Sequence, residues 1–206
     1  MKSLVYDKIR LGVAVLLYLC ATSWANAKVK LPALISDGMV LQREQSVKVW
    51  GTADAGENIT IEFQKKSYHA TADANGQWSI TLPPLKAGGP FLMQINDIKL
   101  NDILVGDVWL CSGQSNMELP VKRVMDMFSN EILNYNNEKI RHILIPQKYN
   151  FHAPQEEISA TSWKTLTQKN VMEFSALAYF FAKEMYEKTG IPVGLINSSW
   201  GGTPVE

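Results

Sequence analysis

The stretch Ile103-Leu104-Val105-Gly106-Asp107-Val108-Trp109-Leu110-Cys111, continued as Ser112-Gly113-Gln114-Ser115-Asn116-Met117-Glu118, decides the fold class. Its first part is nearly continuously apolar, the pattern of a strand covered on both faces in a parallel sheet. The second part is small and polar, so the strand runs out into a loop. In α/β folds, loops at the carboxyl ends of parallel strands carry the functional groups. A serine there projects from a rigid support. Its backbone N–H lies where it helps stabilise a tetrahedral oxyanion.

The pattern downstream agrees. Ile140 to Ile145 reads as a second strand, ended by Pro146, and Val193 to Asn197 as a third. Between them, Glu173 to Lys188 reads as a helix whose apolar face is Phe174, Leu177, Ala178, Phe181 and Met185. Gly190 supplies its C-terminal stop and Pro192 prevents continuation. Strand, helix, strand is the grammar of an α/β sheet with right-handed crossovers. One long helix cannot cover both faces of such a sheet, so the expectation is an incomplete parallel sheet in a chain that is part of a longer protein. Residues 112–139 and 146–172 carry no clear element.

Upstream the period changes. Val47 to Trp50, Asn58 to Phe63, Ser67 to Ala72, Trp78 to Leu82 and Phe91 to Ile95 read as short strands between turn-forming segments. The strongest break is Asn75-Gly76, two residues that tolerate positive φ in a tight hairpin. Strands this close, without helical spacing between them, predict a small β-sandwich over residues 28–100. The α/β region then occupies residues 101–206.

Residues 1–27 read as an export signal. Lys2, Lys8 and Arg10 form a basic start, and Leu11 to Leu19 an apolar run shorter than the roughly 20 residues of a membrane span. Ala25-Asn26-Ala27 is a small-x-small cleavage site that predicts a mature start at Lys28, in a periplasmic or extracellular protein. An uncleaved anchor is the competing reading. Lipidation at Cys20 is disfavoured by the bulky Leu19 before it. After cleavage only Cys111 remains, so no intramolecular disulfide forms and stability must come from the core.

Of the 206 residues, 46% are hydrophobic and 19% charged, enough for a packed core, and the formal net charge is zero. Nucleic-acid binding needs a basic surface, so neither nucleic acid nor an anionic membrane is an expected partner. No cluster of His, Cys, Asp and Glu has metal-ligand spacing, and no metal or cofactor is expected.

Chemistry points to Ser115. A second glycine-rich turn, Asn197-Ser198-Ser199-Trp200-Gly201-Gly202-Thr203, follows the third strand and should emerge at the same sheet edge, where its glycines let backbone N–H groups approach a ligand. On spacing alone, Gly113-Gln114-Ser115 is equally an ordinary polar loop. It is not the nucleophile elbow of α/β-hydrolases, because Met117 stands where that motif needs glycine, and no lysine follows as in a phosphate cradle. Gln114 and Asn116 are candidates to hold the serine loop or the substrate, and Glu118 either binds a sugar hydroxyl or is a solvated carboxylate. Trp200 and Trp163 flank loops and are candidate site contacts. Trp50, Trp78 and Trp109, at strand positions, read as core. His69, on a strand, reads as a surface residue. His142 lies inside a short strand and His152 in a loop near Pro154, and none is expected to be the serine's base.

The block Gly106-Asp107-Val108-Trp109-Leu110-Cys111-Ser112-Gly113-Gln114-Ser115-Asn116-Met117 resembles the signature of the sialate O-acetylesterase family, within the SGNH hydrolases. The segments from Gly194 to Glu206 and from Leu34 to Gln42 resemble that family too. The resemblance implies an SGNH-type sheet and an esterase acting on O-acetylated sugars, with Ser115 as nucleophile. It implies an oxyanion hole made by the Ser115 N–H and an N–H of Gly201 or Gly202. It also implies a later Gln-Gly-Glu segment and an Asp-x-x-His base, which these 206 residues do not contain. A serine without a base is a weak nucleophile. A non-catalytic carbohydrate-binding protein built on the β-sandwich, or an inactive fragment, is therefore the alternative expectation.

Overall fold

In the computed structural model, residues 29–150, 152–153, 157–158 and 161–202 are described. The expected export signal lies outside them. Alternating side chains along β2 (Val47–Thr52), β3 (Asn58–Phe63), β4 (Lys66–Thr71), β5 (Gln77–Leu82) and β6 (Gly88–Ile95) bury one face of each of two sheets. β3 pairs with β4 and β6, while β2 and β5 form a two-stranded ribbon. Ile59, Ile61, Phe63, Met93 and Ile95 meet Val49, Trp78, Ile80 and Leu82 in one core. This is the expected β-sandwich. The turn at Asn75-Gly76 is present, with the Asp73 carboxylate accepting from the N–H groups of Asn75 and Gln77. However, it carries the chain from one sheet to the other and does not close a hairpin between paired strands. The hairpins within the larger sheet turn instead at Gln64-Lys65, both at positive φ (49° and 62°), and at Asn96-Asp97.

The expected boundary at residue 100 falls inside a strand. β7 runs without a break from Ile98 to Gly113. Its first part pairs antiparallel with β6, and Leu104 to Gly106 pair parallel with β1 (Val40–Gln42). Its last part, Asp107 to Gly113, pairs parallel with β10 (Val193–Ser199), which in turn pairs parallel with β8 (Asn137–Leu144). The sandwich sheet and the parallel sheet are thus one eight-stranded sheet, in a mixed α/β fold as expected. β9 (Lys164–Leu166), which the sequence did not announce, closes the far edge antiparallel to β8.

The long helix, α3, spans Ala176–Thr189 and starts later than expected because Ser175 caps it, its hydroxyl accepting from Ala178 N–H. Residues Val171–Glu173 form a separate 3₁₀ turn. The buried face also differs: Ala176, Ala178, Tyr179 and Ala182 face the core, while Leu177 and Phe181 are exposed. The small alanines let the helix lie close to the sheet, and Phe181 turns sideways to meet the Trp109 ring edge-on at 5.0 Å. Trp109 is consequently half exposed and not core. Trp163, expected near the site, is instead buried against the sandwich core, donating from Nε1 to Leu34 O. Two further helices, α1 (Ser115–Glu118) and α2 (Met125–Leu133), fill the segment after β7, joined through a 3₁₀ turn at Val121–Arg123. No described helix is long and apolar enough to cross a membrane.

Candidate active site

The parallel register of β7 and β10 sets the site. Ser199 lies opposite Gly113, so both strands end level with each other. Trp200 N–H continues the ladder one step further, donating to Gly113 O at 2.9 Å. Gly113, at φ 147°, then swings the chain out of the strand and into α1, which Ser115 opens. The two glycine-bearing turns are therefore on one edge of the sheet. They nearly touch, because a Cβ built on Gly201 would lie 3.4 Å from Ser115 Cα and collide with the Glu118 carboxylate.

Glu118 locks this contact. One carboxylate oxygen accepts from Gly201 N–H at 2.6 Å, and the other accepts from Gln147 Nε2 at 2.7 Å. Gln147 also reaches Ser199 O, so one carboxylate joins the serine turn, the turn after β10 and the segment after β8. The Gly201 N–H, expected as an oxyanion donor, is therefore committed to Glu118. Glu118 itself is a bridging carboxylate, partly exposed on the cleft wall.

Ser115 is exposed and lines a cleft of about 680 Å³ with Glu118, Arg123, Gln147 and Asn197 on its walls. Its Oγ has no hydrogen-bond partner among the described residues. Asn197 is buried, and its Oδ1 accepts from Ser199 N–H and Oγ–H. That leaves its Nδ2 as the donor turned to the cleft, a role that sequence reading did not assign. Lys122 pairs with Glu173 at 3.1 Å across the cleft wall. Gln114 and Asn116 are exposed and stand outside the cleft. Trp200 lines an adjoining cavity of about 220 Å³ that shares Ile145 and Gln147 with the cleft, and its ring leans on Tyr149 at 4.3 Å. Gly202 lies at φ 77°, at the exposed end of the turn.

None of the three histidines lines the cleft. His69 is exposed on β4 and meets the Thr60 hydroxyl. His142 is buried and stacked on Phe174 at 4.4 Å, with Nε2 unpartnered, and burial pushes its pKa down to about 4. His152 is exposed, and its backbone N–H bonds to Asn150. Burial pushes the Cys111 thiol up, away from thiolate chemistry. No group of metal-ligating side chains occurs among the described residues.

Comparison with known proteins places this geometry. Residues 105–206, which hold both turns, match the family described as carbohydrate esterase, sialic acid-specific acetylesterase. Human sialate O-acetylesterase is 31% identical over 95% of this chain, and the rat protein likewise. A carbohydrate acetylesterase from Xanthomonas citri of solved structure is 39% identical, with a TM-score of 0.81 over 87% of this chain. The chain spans 42% of the human protein's length and 42% of the Xanthomonas chain. By sequence and by fold, the chain resembles the sialate O-acetylesterase family.

Proposed function

We propose that the chain carries the nucleophile-bearing part of an exported carbohydrate O-acetylesterase. The observation that supports this most is the meeting of the Ser115 turn with the Gly201 turn on one wall of a cleft. The names of the relatives supply the substrate class, an O-acetylated sugar. Ser115 Oγ attacks the acetyl carbonyl and gives up its proton to a base. The tetrahedral intermediate expels the sugar hydroxyl, leaving acetyl-serine, and water then releases acetate. The Ser115 N–H and Asn197 Nδ2 receive the developing oxyanion charge, and Gly201 N–H joins them once Glu118 lets go. The base comes from outside the described residues, since no described histidine faces Ser115. Export rests on the basic start, the apolar run and the Ala25-Asn26-Ala27 site. Its check is the mass of the protein recovered after secretion, which should begin at Lys28.

The test of the nucleophile is covalent capture. The chain is incubated with a fluorophosphonate in the presence of imidazole, which stands in for the missing base, and the modified peptide is identified by mass spectrometry. The label should appear on Ser115 and vanish in Ser115→Ala. Equal labelling of other serines would refute the assignment.

A further inference from the structure

We infer that the cavity beside the cleft is a second sugar subsite, in which Trp200 carries the ring to which the acetylated sugar is joined. The inference rests on the esterase reading and adds the length of the ligand to it: two linked rings, not one. The cavity adjoins the Ser115 cleft through Ile145 and Gln147, which line both. Its volume is about 220 Å³, against about 680 Å³ for the cleft. Sites that enclose a whole drug-sized molecule measure roughly 300–1,000 Å³. The cleft is on that scale, and the cavity has room for a single ring.

The walls select a pyranose. Such a sugar has an apolar face of C–H groups and a rim of hydroxyls. The Trp200 indole offers a flat apolar surface for the face. Ser198, Lys148 and Glu157, which also line the cavity, offer a hydroxyl, a cation and a carboxylate for the rim. The indole is in place before any ligand arrives. Trp200 N–H donates to Gly113 O at 2.9 Å, which ties the residue into the ladder between β7 and β10. Its ring leans on Tyr149 at 4.3 Å, and Tyr149 does not line the cavity, so it backs the indole from outside. A ring already ordered loses little freedom on binding. The border between the two chambers is fixed as well, because Gln147 donates to Glu118 and to Ser199 O. Two rings joined by one glycosidic bond occupy both chambers, whereas a single acetylated sugar in the cleft leaves the indole in water.

The test compares binding of two probes to the intact chain. One is the methyl glycoside of an O-acetylated N-acetylneuraminic acid, and the other has the same residue linked to galactose, prepared in both common linkages. The probes carry the same charge and the same acetyl group and differ only in the second ring. At least one linkage should bind about tenfold more tightly than the methyl glycoside, the worth of one ring stacked on an ordered aromatic face. The bond to Gly113 is made by the backbone, so Trp200→Ala keeps it, and this variant should bind all the probes equally. Trp200→Phe, which keeps a flat ring, should restore part of the preference. Equal binding of all probes by the wild type, binding of none, or a preference that survives in Trp200→Ala overturns the inference. Fluorophosphonate labelling of the same preparations separates the two failures. Label on Ser115 without a preference for the longer probe leaves the esterase reading standing and this one refuted, whereas absence of label refutes the esterase reading itself.

Discussion

Replacing Glu118 by Gln isolates the latch that holds the two turns together. Both groups that Glu118 accepts from, Gly201 N–H and Gln147 Nε2–H, are donors. A carboxylate offers them two acceptors, whereas a carboxamide offers one acceptor and one further donor. In Glu118→Gln, either Gly201 or Gln147 must face an N–H group. If the Gln147 amide turns over to avoid this, its bond to Ser199 O is lost. Hydrogen bonds to a charged group are each worth about 1.5–3 kcal/mol when shielded. Glu118 is partly exposed, so screening brings the loss from this pair down to about 1–2 kcal/mol. For a domain of this size each kcal/mol moves the melting temperature by about 2–4 °C, which predicts a drop of about 2–8 °C. Calorimetry reads that drop, and hydrogen exchange at the Gly201 amide reads its location. The amide should exchange faster in the variant, while amides in β3 and β4 should not change. A melting temperature within about 1 °C of wild type, with Gly201 exchange unaltered, would show that the carboxylate does not hold the turn.

Other residues give separate tests. His142 has a folded pKa of about 4, below its unfolded value near 6.5, so the unfolded chain takes up the proton first. Stability should be full above about pH 6.5 and fall by up to about 3 kcal/mol as pH drops to 4, and urea titrations of His142→Phe should show a flatter profile. Arg141 is buried and bonded to the Asp102 carboxylate at 2.7 Å and to Thr165, tying β8 to β9 and to the early part of β7. Arg141→Met should cost only about 1 kcal/mol in chemical denaturation, because the Asp102 carboxylate left behind is 46% exposed and water replaces the lost partner. Beyond Asp107, β7 pairs on one side only among the described residues, and Leu110 on it is 69% exposed. Leu110→Lys should therefore lower self-association in light scattering without changing the melting temperature, since a charge on an open strand edge blocks edge-to-edge pairing.

The strands and the serine turn were readable because their signals are local. Continuous apolar residues up to Cys111, followed by small polar ones, mark a strand and its end, but the expected cover on both faces holds only for Ile103 to Gly106, and Trp109 and Leu110 are exposed where β7 becomes an edge. The helix face was misread because burial there follows distance to the sheet more than hydrophobicity. Ala176, Ala178 and Ala182 allow close approach, and the larger Leu177 and Phe181 are left outside. Ser175 was a visible cap that a count from Glu173 passed over. The turn at Gln64-Lys65 carries neither glycine nor asparagine, so no residue announces it. Glu118 and Asn197 were both quoted but not given their roles. Their partners are Gly201, Gln147 and Ser199, and for Glu118 these are brought near only when β7, β8 and β10 lie side by side. A signal of that kind exists in the folded register and not in any window of sequence.

The continuity of β7 bears on how the serine is held. A turn at the end of a strand is only as well placed as the strand, and functional groups need to be fixed to within about 0.5 Å. β7 is fixed at both ends by different cores: Ile103, Leu104 and Val105 are buried in the sandwich core, and Cys111 in the core beneath α3. Between them the Arg43–Asp107 ion pair and the bond from Val108 N–H to Gln42 Oε1 tie the middle of the strand to the segment around β1. Gly106 is required at the crossing, because a Cβ there would strike the Pro192 carbonyl. The β-sandwich is then part of the machinery that aims Ser115. On this account, loosening the sandwich core should disturb the serine turn through the strand. Ile103→Ala leaves every residue of the cleft in place, yet it should slow fluorophosphonate capture at Ser115. The same deletion at Ile59 in β3, outside the shared strand, should destabilise the fold with less effect on the capture rate of the molecules that remain folded. Equal slowing by the two substitutions, after correction for the folded fraction, would mean that the strand does not transmit the constraint.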